Sequence, residues 1–83
     1  MTPEELHQRL EKVFHSYDLT ARIRIAPFNG KMYWGEIVSD LWVGMSVPVR
    51  TRIARRLIAA RDSELHESRR LIVFPVTPTE ARD

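Results

Sequence analysis

Two alternating runs that meet at an Asn-Gly turn set the first limit on what this chain can fold into. In residues 20–26, Ala21, Ile23 and Ile25 alternate with Arg22 and Arg24. A strand turns successive side chains to opposite faces, so this segment reads as a strand with one dry and one wet face. Residues 27–31, Pro-Phe-Asn-Gly-Lys, are turn chemistry, and Asn29-Gly30 is the strongest signal within them. Residues 32–38 read as a second strand, more apolar and aromatic, and therefore more central in a sheet. A β-hairpin of this kind needs cover for its dry face.

The flanking segments supply that cover. Thr2-Pro3-Glu4-Glu5 is a helix start: Thr2 caps, Pro3 fits the first helical position, and Glu5 completes a capping box. Leu6, Leu10, Val13 and Phe14 then fall within one arc of ~100°, which predicts a helix over residues 3–16 docked by that stripe. Beyond the hairpin, residues 40–45 read as a loop around Gly44, tied down by Asp40. Ser46 is an N-cap and Pro48 sits in the first turn of a second helix. There Val49, Ile53, Leu57 and Ala60 share an arc of ~80° and form the expected buried face. Arg52, Arg55 and Arg56 share a separate arc of ~100°. This helix ends near residues 61–62, and residues 63–68 form a polar connection with room for one helical turn.

Residues 71–76 are a third strand, short and nearly continuous in apolar residues, and Pro75 near its end favours an edge or terminal position. Thr77-Pro78-Thr79-Glu80 repeats a capping signature, with too few residues after it for a stable helix. The order is α-β-β-α-(α)-β. It predicts one α+β domain over residues 1–83, a three-stranded mixed sheet with helices on one face.

Composition excludes several classes of function. The chain has 83 residues and no cysteine, so disulfides, thiolate metal sites and a cysteine nucleophile are out of reach for it alone. No apolar run approaches the roughly 20 residues that span a bilayer, and no basic-then-apolar leader opens the chain; the expectation is a cytoplasmic protein with no membrane role. Net charge is only +2, yet it is unevenly spread. Glu4, Glu5, Glu11 and Asp18 outnumber Arg9 and Lys12 near the N-terminus, whereas Arg50, Arg52, Arg55 and Arg56 stand together with no acid among them. A local basic patch of that kind attracts phosphate or an acidic partner surface.

The residues that could do chemistry do not assemble in sequence. His7 and His15 are eight apart on the first helix, off the three- or four-residue spacing of metal pairs, and read as surface histidines. Ser46 has no base partner, and Glu36 and Asp40 give no dyad. No Gly-rich phosphate cradle exists. A G-x-x-G clamp for RNA is also missing, because Gly44 meets Val47 three residues on. Of the two tryptophans, one is expected to be structural in a core this small, and an exposed Trp would suggest a partner surface. The chain therefore reads as a binding or adaptor protein, not an enzyme.

One stretch carries a resemblance. Val38-Ser39-x-x-Trp42-x-Gly44-x-Ser46-x-x-x-Arg50-x-Arg52, with the opening Thr-Pro-Glu-Glu-Leu helix, a terminal apolar strand and the closing Thr-Pro-Thr-Glu, resembles the BolA family, whose fold is related to the class II KH module. The resemblance covers nearly the whole chain. It implies a regulator or adaptor: BolA proteins pair with monothiol glutaredoxins around a shared [2Fe–2S] cluster, and some bacterial members bind DNA as stress-linked regulators of morphology and transcription. The cluster role uses a histidine just before the last strand and a His or Cys in the hairpin loop. Here the first position falls on Arg69, with His66 three residues earlier, and residues 27–31 hold neither His nor Cys. The family's Arg-His-Arg becomes Arg50-Thr51-Arg52, and Trp42 stands where the family's pattern has Phe, which implies that it packs under the loop. A guanidinium stays protonated and is a poor ligand. The leading expectation is a BolA-like regulator without the usual cluster ligands and without a cofactor of its own. It would contact protein or nucleic acid through Arg50, Arg52, Arg55 and Arg56, with Arg50 alternatively organising the preceding loop. Two alternatives stand beside it: a glutaredoxin partner with His66 as a displaced ligand, and a DNA or RNA module built on the second helix. A monomer or weak homodimer is expected, the latter through an exposed sheet edge.

Overall fold

The hairpin forms where the alternation places it, and everything else is arranged around it. A computed structural model describes residues 1–81. The elements are α1 (Pro3–His15), β1 (Arg22–Pro27), β2 (Tyr33–Val38), a 3-10 turn (Asp40–Trp42), α2 (Val47–Arg61), α3 (Ser63–Glu67), β3 (Leu71–Val76) and α4 (Pro78–Ala81). The architecture is α+β, with a three-stranded mixed sheet in the order β1-β2-β3 and helices packed against it. β1 and β2 pair antiparallel, with Ile23 opposite Ile37 and Arg24 opposite Glu36. β2 and β3 pair parallel, with Trp34 opposite Ile72 and Glu36 opposite Phe74. β2 is thus the central strand, and the Pro75-bearing strand lies at the edge.

Alternation decides the two faces. Ile23, Ile37, Leu71 and Val73 are buried toward the helices, joined by Leu6, Leu10, Val13 and Phe14 of α1. α1 starts with its capping box made: Glu5 N–H donates to Thr2 Oγ1 at 3.1 Å and Thr2 N–H donates to Glu5 Oε1 at 3.4 Å. Gly35 faces α1 across β2. A Cβ there would stand 2.9 Å from Leu71 Cδ1 and 3.2 Å from Leu10 Cδ1, so a larger residue would push those two methyl groups aside. Trp42 is fully buried beneath the loop, edge-on to Phe14 at 6.0 Å, and its Nε1–H donates to the Ile37 carbonyl at 3.1 Å. Gly44, at φ +82°, occupies a left-handed conformation that an L side chain resists.

Several expectations need correction. α2 buries Arg50, Ala54 and Ile58, with Ile53 and Leu57 only half-buried and Val49 and Ala60 exposed. The buried stripe is rotated by one residue because Arg50 points inward. Ser46 stands at the N-cap of α2 but makes no side-chain cap bond. The loop after β2 is tied down by Ser39 rather than Asp40: Leu41 N–H donates to Ser39 Oγ, and that hydroxyl donates to Asp18 at 2.7 Å. Residues 63–67 form a short helix that Asp62 caps and that buries Leu65. Thr77-Pro78-Thr79-Glu80 also closes into a helical turn, α4, with Thr77 N–H donating to Glu80 Oε1 at 2.9 Å. A tertiary ion pair from Arg50 supplies what its length cannot. Arg82 and Asp83 of that C-terminal segment lie outside the described residues.

Candidate functional site

The four arginines of α2 separate into two groups. Arg50 is only 7% exposed. Its Nε and Nη2 both donate to the Met45 carbonyl, at 3.2 and 2.9 Å, and its Nη1 donates to Glu80 at 2.6 Å and to the Pro75 carbonyl at 3.5 Å. It holds the loop before α2, the end of β3 and α4 together. It is a structural residue, and its expected place on a binding surface is corrected accordingly. Arg52, Arg55 and Arg56 are exposed and, among the described residues, have no side-chain hydrogen bond or ion pair.

Other arginines show what a satisfied one looks like here. Arg9 makes a two-pronged pair with Asp62, Nε to Oδ2 at 2.8 Å and Nη2 to Oδ1 at 2.6 Å, and reaches Glu64 at 2.9 Å. Its hydrogen bonds hold the Asp62 carboxyl below the usual carboxylate range and make its own proton harder to remove. Arg61 donates to the Tyr17 hydroxyl and lies 5.1 Å over the Tyr17 ring. Against these, the outward face of α2 is a row of unengaged guanidinium groups.

The histidines do not converge. His7 Nε2 lies 2.9 Å from the Ile23 carbonyl and His15 Nε2 lies 2.8 Å from the Ala21 carbonyl, so both tie α1 to the first strand rather than stand free at the surface. His66 is exposed at the end of α3, in a shallow depression it shares with Arg55, Arg69 and Met32. Among the described residues no three His, Cys, Asp or Glu side chains are grouped to hold a metal. An iron–sulfur cluster wants thiolate or imidazole donors, and His66 is a lone imidazole beside two guanidinium groups. The donor set of this chain does not fit such a cluster.

A surface that sequence reasoning did not assemble lies on the sheet face away from the helices. Phe28, Trp34 and Phe74 meet there, with Arg24 and Glu36 beside them. The signal was available: Trp34 and Phe74 both occupy positions whose strand alternation points away from the buried residues. What the sequence withheld was the register that brings them together.

Comparison with protein-family models, curated proteins and solved structures finds no match in any of the three. The fold and the surfaces therefore define the class on their own: a small α+β domain with a basic helix on one side and an aromatic sheet face on the other. No helix among the described residues is long and apolar enough to cross a membrane.

Proposed function

We propose that this chain is a non-enzymatic binding protein, similar to BolA regulators, that engages the phosphate backbone of nucleic acid through Arg52, Arg55 and Arg56 of α2. The observation that carries the reading is the contrast within one helix. Arg50 is buried and fully engaged, while its three neighbours face solvent with no partner among the described residues. Guanidinium groups of this kind suit phosphate oxygens, which accept their forked donors. Neighbouring Arg69, also exposed, extends the basic surface across the depression beside His66.

Phosphate binding has a signature that ordinary protein contacts lack. Each neutralised phosphate releases counterions, so three contacts give a slope of about −2 to −3 in log affinity against log salt. Fluorescence anisotropy with labelled duplex DNA and duplex RNA, across a salt series, measures it. The triple variant Arg52→Glu, Arg55→Glu, Arg56→Glu is expected to lose binding by an order of magnitude or more. Unchanged affinity and slope in that variant would remove α2 from the argument.

A further inference from the structure

Contiguous exposed apolar surface marks interaction sites more often than scattered apolar residues do. On the open face of the sheet, Phe28 keeps 55% and Phe74 38% of its surface exposed. Trp34 sits between them, its ring centroid 5.9 Å from that of Phe28 and 4.2 Å from that of Phe74, with interplanar angles of 36° and 34°. The three rings form a row across the face. Two depressions flank the row and share Arg24 and Glu36 as a common waist. One, of about 280 Å³, is bounded by Phe28, Trp34 and Pro27. The other, of about 360 Å³, is bounded by Phe74, Val76 and Val47.

Charge narrows the choice of occupant. Arg22 and Arg24 alternate outward on β1, and Lys31 lies in the adjoining turn. None of the three has an ion-pair partner among the described residues, although Glu36 is the cross-strand neighbour of Arg24. Glu80, the other carboxylate lining the larger depression, is already neutralised by Arg50. Among the described residues, cations therefore exceed free anions around the rings. A second copy of the chain docked face to face would set Arg22 and Arg24 against their own kind. An acidic peptide would use the arginines and leave the ring row without a role.

We propose that this face binds single-stranded nucleic acid, its bases stacking on the exposed rings of Phe28 and Phe74 on either side of Trp34 and its phosphates meeting Arg22, Arg24 and Lys31. Stacking platforms need bases whose faces are free, which a duplex does not offer. Glu36 at the waist accepts hydrogen bonds from base N–H groups, a role that a bare phosphate could not share. Arg52, Arg55 and Arg56 line neither depression, so each reading can fail without the other.

The two tryptophans make the test selective. Trp42 is fully buried, whereas Trp34 lies on the proposed platform, so quenching by a bound base reports on Trp34. The protein is titrated with oligothymidylate, oligouridylate and a duplex of matching length. Saturable quenching by the single strands is expected, with the duplex much weaker. Phe28→Ala and Phe74→Ala should each weaken binding about fivefold or more. Arg24→Glu keeps every ring in place and should weaken binding and flatten the salt slope by about 0.7, which keeps the test open where a ring variant fails to fold. Trp34 quenching by the single strands reads this face, whereas binding at α2 is read by anisotropy with the duplex. Absence of quenching, quenching that ignores the ring and Arg24 substitutions, or equal quenching by the duplex would each overturn the proposal. So would a finding that Phe74→Ala converts a self-associated species to monomer while no oligonucleotide binds, since the occupant would then be a second copy.

Discussion

Arg50 shows how much one side chain can decide. A guanidinium carries five N–H donors in a planar fork, and Arg50 spends them on the Met45 carbonyl, the Pro75 carbonyl and Glu80. A lysine has one compact ammonium and cannot meet acceptors that far apart. Arg50→Lys and Arg50→Ala should therefore both destabilise, by about 1–3 kcal/mol for the buried carbonyl left without its donors. Urea unfolding measures the loss, and amide exchange in α4 should accelerate in both variants. A lysine variant as stable as the parent would mean that the fork is not needed. None of this was readable from periodicity. Hydropathy treats every arginine as outward, so the sequence placed Arg50 with Arg52, Arg55 and Arg56, and only the alternative that it organises the loop pointed the right way. Trp42, by contrast, was legible: a small core makes one indole structural, and the resemblance sets an aromatic residue at this position under the loop.

At the scale of elements, the contact between α1 and the edge strand carries an unexpected share. β1 has a neighbour on one side only, and bare edges invite pairing with another chain. His7 and His15 lie within hydrogen-bond distance of the Ile23 and Ala21 carbonyls, which bonds α1 to that strand as well as packing it there. Replacing both by leucine should cost about 1 kcal/mol for each lost bond and raise the tendency to self-associate. Thermal melts and sedimentation velocity test the two effects separately; melts and sedimentation unchanged from the parent would mean that the imidazoles only decorate the surface. The helical period revealed α1, its stripe and its cap, because local signals encode them. The histidine contacts and the rotated face of α2 depend on how helix meets sheet, and no spacing within a helix records that. α4 makes the same point in reverse: its capping box was visible, but its stability comes from Arg50, thirty positions earlier in the chain.

Across the whole molecule, three carboxylates tie segments that the core alone does not fix. Asp18 accepts from Ser39 and so joins the end of α1 to the turn after β2; that hydrogen bond, helped by Thr20, lowers its pKa. Asp62 is lowered chiefly by Arg9 and links α1 to the α2–α3 junction. Glu80 is lowered chiefly by Arg50 and links α4 to α2. A carboxyl whose folded pKa lies below its unfolded value stabilises the fold above the unfolded value, and that stability is lost as pH falls through the folded one. The ordinary values are 3.8 for the aspartates and 4.5 for the glutamate. Stability should thus be flat near neutrality and fall steadily below about pH 4.5, as the three ties protonate in turn. Among the described residues no acid is buried in the core, so the decline belongs to the ties and not to the sheet. Asp62→Asn separates this account from general acid swelling. It should cost about 1–3 kcal/mol at neutral pH, where Arg9 loses one of its two charged partners and keeps Glu64, and it should make the acid decline shallower because one titrating group is gone. Urea midpoints for parent and variant, followed from about pH 7 to pH 3, decide it. Parallel curves would show that acid acts through overall charge; converging curves would show that these three carboxylates hold the periphery of the fold in place.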